Sequence, residues 1–389
     1  MTPFAGTPDA LRLPTPKSRI AASTVTISCA DSSWGFTTLR PEWNSLLHGS
    51  AADCPFLTWE WLHSWWTHVG RASALRIAAV RADGQLIALA PFCLTPGVLP
   101  RLDMLGTGEA GSDYLDVIIR RGYEHEALPA LERFFYAQSI PLRLTHLSEA
   151  AAAGDVATRL VASGWHAETT HGGTCPYIPL AGHTWESFLG TLGSSHRANV
   201  RRRIRALEQK FDMSFTRVTT QAERHEALAA VIAWHKRRFD ERGTAFMNDA
   251  LRAFHDEVTR RTVDEGWLRL FVLRLNGAPV AVMYGFLYGG RFYFFQHGFD
   301  DRYQQHSVGL VLMALSIRAA IEEHAQEFDM LWGTEPYKSL WASDTRELRN
   351  IQLFPPTIGG LVQRGVFHAR RTAGSLARRM RATVNHHGA

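Results

Sequence analysis

Alternating apolar and polar residues mark two β-hairpins that repeat one another along the chain. Residues 75–88 and 268–281 each contain an apolar strand, a tight turn and a second apolar strand. The turns hold Asp-Gly at 83–84 and Asn-Gly at 276–277, the strongest short-range hairpin signal in a sequence. Matching positions in the two copies, such as 75 and 268, are 193 residues apart. A period this long predicts two domains of the same kind and not a solenoid.

The remaining pattern places helices and strands in a mixed α/β order in both halves. Residues 58–66 carry tryptophans and a leucine at helical spacing after Thr58, which fits an N-cap. In the second half a strand leads through a loop into a long apolar helix that begins near Val308. Further helices are predicted near 124–138, 153–163, 221–239 and 247–264, and strands near 24–30, 141–147, 291–297 and 328–332.

The repeat and the composition divide the chain into four parts. Residues 1–23 contain four prolines and lack the apolar stretch of a signal peptide, so we predict a disordered lead-in. We place the first domain at 24–180 and the second at 181–356, followed by a basic tail at 357–389. The run His-Gly-Gly-Thr at 171–174 predicts the junction between the domains.

Composition indicates a globular protein that keeps its cysteines reduced. The hydrophobic fraction is 46% and the charged fraction 20%, and no apolar run is long enough to span a membrane. The 12 Trp and 21 Phe can fill large cores or line clefts. The four Cys have no paired spacing, which favours a cytoplasmic location and argues against a zinc site. We therefore expect no metal and no tightly bound cofactor.

The basic character of the chain is concentrated at its C-terminal end. From residue 349 onward there are seven Arg and neither Lys nor acid, so the preceding residues sum to about −2 of the total charge of +5. Apolar residues alternate with these arginines, which fits an amphipathic helix on an anionic membrane surface or an acidic partner. A solvated tail is the alternative. Nucleic-acid binding is disfavoured because aromatic residues do not interleave with the arginines.

The loop before the long apolar helix is a candidate phosphate site. A strand-to-helix loop with small residues exposes backbone N–H groups at the positive end of the helix dipole. Gln304, Ser307, Val308 and Gly309 resemble a degenerate pyrophosphate loop of the GNAT acyltransferases, Gln/Arg-x-x-Gly-x-Gly/Ala, with Ser307 in place of the first Gly. An ordinary helix N-cap at Ser307 is the alternative interpretation.

A second motif follows the last predicted strand. Residues 329–341 run from a strand through Gly-Thr-Glu-Pro-Tyr-Lys, which places a carboxylate, a phenol and an ammonium at the carboxyl edge of the sheet, where open α/β sheets bind ligands. Together with the runs at 55–66, 112–114 and 299–309, the motif resembles the BioF-like GNAT acyltransferases of the CelD (BcsL) type. Those proteins, linked to cellulose biosynthesis, are similar to the Fem aminoacyltransferases. The resemblance covers residues 25–355.

The resemblance implies a tandem pair of GNAT-like acyl-CoA N-acyltransferase domains, with the donor chemistry in the second. Such enzymes transfer the acyl group directly, so the protein positions both substrates, accepts a proton and stabilises an oxyanion. On this basis Glu335 or Asp113 is expected to be the base and Tyr337 the acid. Lys338 and Trp341 are expected to bind the acceptor, and acyl-CoA is the expected co-substrate.

Two further groups are candidates from their residue pattern. Arg197 and Arg201 continue to Arg205 as a stripe at four-residue spacing on a basic helix, which fits an anionic substrate or, alternatively, a solvated helix face. Asp113, in Ser-Asp-Tyr, stands at the mouth of a predicted strand, where burial can raise a carboxyl pKa. Its alternative role is to cap a turn. His235 and His297 are further candidates, although a lone histidine is more often a hydrogen-bonded structural residue.

These observations predict a cytoplasmic acyltransferase, peripheral to the inner membrane through its tail. The expected reaction moves an acyl group, acetyl in the first instance, from acyl-CoA to an amine or hydroxyl of a sugar or exopolysaccharide precursor. This acceptor rests on family analogy. One alternative is a Fem-like aminoacyltransferase that uses aminoacyl-tRNA. The other is a non-catalytic accessory protein of a polysaccharide synthase. We expect no DNA partner, and tRNA only in the first alternative.

Overall fold

The computed structural model describes residues 24–239 and 246–386, with side chains described up to 237 and over 246–372. The predicted disordered lead-in at 1–23 lies outside the described residues. The strands are Val25–Ala30 (β1), Ala74–Ala82 (β2), Gln85–Thr95 (β3), Arg101–Met104 (β4), Ile118–Ile119 (β5), Leu142–Leu147 (β6), His166–Pro179 (β7), Met213–Arg217 (β8), Leu268–Leu275 (β9), Ala278–Tyr288 (β10), Arg291–Phe299 (β11), Glu327–Asp329 (β12) and Asp344–Phe354 (β13).

The helices surround this set of strands and match most of the predicted positions. Short 3₁₀ turns lie at Pro55–Leu57, Asp301–His306 and Lys338–Leu340. The α-helices are Ser33–Thr38 (α1), Arg40–His48 (α2), Trp59–His68 (α3), Glu124–Gln138 (α4), Ala152–Ala162 (α5), Trp185–Thr191 (α6), Ser194–Lys210 (α7), Gln221–Phe239 (α8), Asp249–Asp264 (α9), Val308–Glu322 (α10) and Ile358–His386 (α11).

The two predicted hairpins form as β2–β3 and β9–β10, and they repeat one another in detail. Asp83 and Gly84 have φ angles of 47° and 84°, and Asn276 and Gly277 have φ angles of 51° and 79°. Positive φ at both central residues is the type I′ geometry that matches strand twist. Each hairpin also skips one residue of its second strand, at positions 87 and 280. These two bulges are again 193 residues apart, so the internal repeat is confirmed.

All thirteen strands belong to one mixed sheet in which the halves mirror each other. One arm runs β1-β2-β3-β4-β6 and the other runs β8-β9-β10-β11-β12. In each arm the last two strands, β4 with β6 and β11 with β12, are parallel, while the hairpins are antiparallel. The mixed α/β fold with two domains of one kind is therefore confirmed.

The halves exchange a strand at the centre of the sheet. β7 comes from the first half and pairs with β12, whereas β13 comes from the second half and pairs with β6. β7 and β13 also pair with each other from Asp344–Tyr177 to Phe354–His166. The predicted junction at 171–174 is wrong, because these residues lie inside β7. Each half is completed by a strand of the other.

Aromatic packing continues across the halves. Trp61, on the predicted Trp-rich helix α3, lies 5.0 Å from Phe254 and 5.6 Å from Phe295 of the second half, measured between ring centroids. Thr58 caps this helix as predicted, accepting from the Trp61 N–H. On the opposite face of β11 and β12, Phe292 stacks on Phe328 at 4.5 Å under α10. The core is thus shared and not divided between two independent domains.

The tail begins with α11, which packs on β13. No helix in the described part of the chain is long and apolar enough to cross a membrane. All four cysteines are free thiols, and Cys54, Cys93 and Cys175 are buried.

We expect the protein to unfold in one cooperative step because of the strand exchange. Ile178 on β7 is 2% exposed in the core of the second half. Ile178→Ala should lower the free energy of unfolding by roughly 2–5 kcal/mol and shift the whole transition. Urea denaturation followed by circular dichroism and tryptophan fluorescence measures this, with Ile27→Ala on the exposed face of β1 as control. Two separate transitions, of which only one shifts, would contradict it.

Candidate active site

A gap opens between the two parallel strands of the second half. β11 and β12 pair only over residues 291–293 and 327–329. Beyond this point β11 continues to Phe299, with a bulge at Phe295 in its pairing with β10. The chain after β12 turns away from β11 instead of extending the ladder. The gap lies at the carboxyl ends of these strands, where open α/β sheets bind ligands.

The chain after β12 is diverted towards β7 by its own backbone. Met330 N–H donates to the Pro176 carbonyl at 2.9 Å, and Gly333 N–H donates to the Thr174 carbonyl at 3.1 Å. Leu331 adopts a left-handed φ of 54°, a conformation that costs a non-glycine residue strain energy. The segment 330–333, which we call the diverted segment, forms one wall of the gap.

Two predicted site residues hold the diverted segment from opposite sides. Asp113, which is 2% exposed, accepts from the Trp332 N–H at 2.8 Å through its Oδ2. Lys338, which is 4% exposed, donates through its Nζ to the carbonyls of Trp332 at 2.9 Å and Leu331 at 3.3 Å. It also pairs with Glu335 at 3.1 Å. Its three N–H groups therefore face protein oxygens, and an acceptor anion would have to displace one of them.

Glu335 and Tyr337 lie at the mouth of the gap. The Glu335 side chain is 54% exposed beside Lys338. The Tyr337 ring lies edge-on to His297 of β11, with 5.8 Å between the ring centroids, so these two side chains face each other across the gap. From the sequence His297 was a candidate for which a structural role was favoured. His297 shares its face of β11 with Phe294 and Phe299, because the bulge at Phe295 interrupts the two-residue alternation there.

The loop before α10 has the geometry of an anion site. Ser307 has φ 57° and ψ 38°, the left-handed conformation that favours glycine, which is the residue of the resembled loop at this position. Its side chain makes no capping hydrogen bond to α10, so the alternative interpretation as an ordinary N-cap is not what is observed. The N–H groups of Val308 and Gly309 are in the first turn of α10 and have no carbonyl four residues earlier in the helix.

The start of α10 packs tightly against the end of β11. A Cβ added to Gly309 would lie 3.1 Å from the Phe299 ring, so glycine permits this close approach. Gln304 is exposed on the 3₁₀ turn that connects β11 to α10. The loop therefore stands directly over the open end of the gap.

The predicted arginine stripe of α7 points elsewhere. Arg197 donates to the Gly190 carbonyl at 3.2 Å, and Arg201 pairs with Glu186, so both fasten α6. In the loop itself, burial and the charges of Lys210 and Arg203, two other cations of α7, lower the pKa of His306. The sequence placed Arg203 on the basic helix but outside the predicted stripe, and it did not single out Lys210.

Trp341 is a core residue at the edge of a small cavity. It is 4% exposed and lies edge-on to His196, with 4.6 Å between the ring centroids. Burial lowers the pKa of His196. The cavity of about 320 Å³ beside Trp341 is lined mainly by α6, the end of β7 and residues 339–343. Trp341 contacts His196 and this cavity, and its predicted role in substrate binding stays a prediction.

Asp113 and Tyr114 connect the first half to the gap. Asp113 Oδ1 pairs with His146 Nδ1 at 2.9 Å, and the Tyr114 hydroxyl donates to Asp329 Oδ2 at 2.7 Å. Asp329 is fully buried, and burial raises its pKa to about 6 although Tyr114 and Arg346 favour the carboxylate. The Ser-Asp-Tyr motif is therefore a contact between the halves that supports β12 and the diverted segment.

A large cavity lies where the two halves of the chain meet, which we call the seam, on the same side of the sheet as Tyr114. It has a volume of about 790 Å³ and is lined by both halves, including Tyr293, the last β11 residue that pairs with β12. Three arginines and four acids line it: Arg291, Arg346, Arg349, Asp53, Asp116, Glu149 and Glu347. The cavity is polar and reaches the strand pair at which the gap begins.

An exposed tryptophan stands between the gap and this cavity. The Trp332 side chain is 57% exposed although its backbone is held by Asp113 and Lys338. Its ring lies on Gly173, where any Cβ would overlap it, and it is nearly parallel to His146 at 6.3 Å between ring centroids. Gly173 pairs with Leu348, which lines the cavity. Trp332 is a rigid aromatic surface that the sequence did not single out.

The pairing with Asp113 has a pH dependence that can be measured. Burial disfavours the charged imidazole, but the hydrogen bond and the charge of Asp113 outweigh it, and the pKa of His146 is raised. A raised folded-state pKa means that protonated His146 stabilises the fold below about pH 6.5. This contribution is lost as the pH rises through the folded-state value.

We expect Asp113→Asn to lower the free energy of unfolding by roughly 1–3 kcal/mol near pH 6. Part of this loss should disappear as the pH rises, because neutral His146 has no charge that the Asp113 carboxylate could attract. Urea denaturation of wild type and variant between about pH 5.5 and 8.5 measures the difference, with exposed Asp31→Asn as control. A deficit that is the same at every pH would contradict the ion pair.

Comparison with known proteins identifies the second half. Residues 194–339 match the acetyltransferase (GNAT) domain family. No curated protein matches the chain. The matched residues begin with α7 and end just after Lys338, so they contain β11, α10, β12 and the gap between the strands.

Solved structures share the fold of both halves together. The crystal structure of FemX is 11% identical, with 80% of this chain and 95% of that chain covered at a TM-score of 0.58. A Bacteroides thetaiotaomicron protein of unknown function is 13% identical, with 84% and 99% covered at 0.58. The C-terminal domain of a putative lysylphosphatidylglycerol synthetase from Agrobacterium fabrum is 10% identical, with 84% and 95% covered at 0.52. The chain is therefore a tandem pair of GNAT-like domains, and its acetyltransferase (GNAT) domain makes it an acyltransferase.

Proposed function

We propose that the second half transfers an acyl group, acetyl in the first instance, from acyl-CoA to a sugar or exopolysaccharide precursor. The observation that carries this proposal is the gap between β11 and β12 with the Ser307 loop at its open end. A gap between parallel strands admits a narrow extended chain such as the thiol-bearing arm of CoA. The fold and the acyltransferase class support acyl-CoA as the donor. The identity of the acceptor is a more specific proposal.

Main-chain N–H groups and two cations suit the donor pyrophosphate. The first turn of α10 offers the N–H groups of Val308 and Gly309 at the positive end of the helix dipole. Arg203 and Lys210 act on the neighbouring His306 through their charges, so the same loop is flanked by positive charge. An anion bound here would place its attached arm towards Phe299 and the gap.

The reaction follows from the groups at the mouth. The acceptor nitrogen or oxygen attacks the thioester carbonyl carbon and forms the new bond while its proton passes to a base. The tetrahedral intermediate then expels the thiolate, which takes a proton. We assign Glu335 as the base, since its carboxylate is half exposed at the mouth, and Tyr337 as the acid towards the thiolate.

We assign Asp113 and Lys338 to positioning and not to the chemistry. Both hold the backbone of Trp332, and the oxygens of Asp113 are engaged with Trp332 and His146. These two side chains hold the diverted segment in addition to its backbone hydrogen bonds to β7, and so help to keep the gap open.

A sugar acceptor is supported by Trp332 and by the polar cavity beside it. Sugar rings present C–H groups to aromatic faces and hydroxyls to charged side chains around them. Trp332 offers such a face, fixed by two backbone hydrogen bonds, and the seam cavity offers arginines and carboxylates. The link to cellulose and other exopolysaccharides rests on the family resemblance alone.

Aminoacyl-tRNA is a second candidate donor. FemX shares the fold over 80% of this chain, and α7 presents Arg202 and Arg205 to solvent. A tRNA-dependent enzyme would bind tRNA through these arginines with an affinity that falls steeply as salt rises.

We expect purified protein to bind acetyl-CoA in a calorimetric titration and Gly309→Trp to abolish binding. An indole at 309 would collide with Phe299 and displace the start of α10. Ser307→Gly is the matched control and should retain or improve binding, since glycine adopts the observed left-handed conformation without strain. Wild type that binds no acyl-CoA, but binds tRNA with a steep salt dependence, would favour the second donor.

We expect Trp332→Ala to raise the KM for glucosamine or cellobiose about tenfold, a loss of about 1.4 kcal/mol, with the affinity for acetyl-CoA unchanged. Release of CoA, detected with a thiol reagent, measures the rate. Trp34→Ala is the control, because Trp34 is also exposed, at 77%. Equal KM values for Trp332→Ala and wild type would contradict a role of Trp332 in binding the sugar.

A further inference from the structure

The outward face of α11 is apolar where solvent-facing helices are usually polar. Ile358 is 84% exposed, Leu361 53% and Val362 51%. Gly365 and Ala369 continue this face one and two turns later and are also exposed. A surface helix normally turns its apolar stripe towards the core, so this arrangement is inverted.

The opposite face of α11 attaches the helix to the body and fixes its orientation. The Phe367 ring lies 5.9 Å from Phe354 of β13. Arg364 and His368 both reach Glu168 of β7, at 3.3 and 3.0 Å. The helix therefore cannot bury its apolar face by rotating about its axis without breaking these contacts.

A neighbouring loop extends the apolar surface. Gln363 Nε2 donates to the Pro100 carbonyl at 3.0 Å, which joins α11 to the loop between β3 and β4. In that loop Val98 is 99% exposed and Leu99 is 38% exposed. We call Val98, Leu99, Ile358, Leu361 and Val362 the apolar platform. Exposed apolar residues that cluster in this way mark an interaction site.

The charge of α11 is positive, and of its arginines Arg364 pairs with Glu168. Arg370 and Arg371 are exposed on α11, and residues from 349 to the end contain seven Arg and no acid. Apolar side chains flanked by arginine suit an anionic lipid surface, in which the apolar groups enter the acyl boundary and the guanidinium groups contact phosphates. A second copy of this chain would place two arginine-rich helices side by side, which like-charge repulsion opposes.

We propose that the apolar platform docks the enzyme on an anionic membrane surface. This role goes beyond the proposed function, because the apolar platform is formed by residues other than those of the CoA loop and Trp332. Lipid is the proposed occupant because the arginines of α11 are positively charged and the fold leaves the apolar residues exposed. Docking would hold the acyltransferase near lipid-linked or membrane-extruded acceptors without a spanning helix.

Cosedimentation of the full chain with vesicles tests the proposal. We expect binding to phosphatidylcholine vesicles that contain about 30 mol% phosphatidylglycerol, weak binding to pure phosphatidylcholine, and a decline as salt rises. The double variant Leu361→Ser, Val362→Ser should bind at least about tenfold more weakly, since two apolar side chains no longer enter the lipid. Ile27→Ser, Tyr136→Ser is the matched control, with exposed apolar residues elsewhere, and should bind like wild type.

Acetyl-CoA titration of each variant distinguishes loss of docking from loss of fold or of the proposed function. The titration should give the wild-type affinity for both double variants. If the enzyme does not use CoA, both double variants should instead have the circular dichroism spectrum and the unfolding midpoint of wild type. Wild type that does not bind anionic vesicles would overturn the proposal. So would equal binding by the two double variants, or a dimer in sedimentation velocity that Leu361→Ser, Val362→Ser dissociates.

Discussion

β7 and β13 hydrogen-bond to each other while each completes the sheet of the other half, and the rest of the structure depends on this exchange. The ladder runs from Asp344–Tyr177 to Phe354–His166 at the middle of the sheet. Neither half has all its strands without the other, so the two GNAT-like units behave as one body. The seam also brings the first half within reach of the gap in the second.

The candidate active site is shaped by contacts that cross this seam. β12 ends early because the following residues pair with β7, and Asp113 and Lys338 hold the same residues from either side. The gap, the exposed Trp332 and the polar cavity are three consequences of one backbone path. The first half thus contributes to the site by positioning it, and its own Ser-Asp-Tyr motif serves this purpose.

Local signals predicted much of the fold. Asp-Gly and Asn-Gly turns specify hairpins through φ angles that few other dipeptides accept, so β2–β3 and β9–β10 were predicted with their turns. Thr58 and the helical tryptophan spacing gave α3, and the strand-loop-helix order gave the loop at Ser307 that begins α10. β7 and β13 were missed, because residues 166–179 and 344–354 mix charged and small residues and pair over long sequence distances.

The sequence by itself determined the tandem repeat, the mixed α/β class and the loop that begins α10, because each rests on contacts between residues close in the chain. Only the tertiary structure decided which side chains face the site. Lys338 became buried, Arg197 and Arg201 turned to α6, and Trp332 became exposed. These outcomes depend on the strand exchange, whose partners are more than 160 residues apart. No periodicity within a short window carries that information.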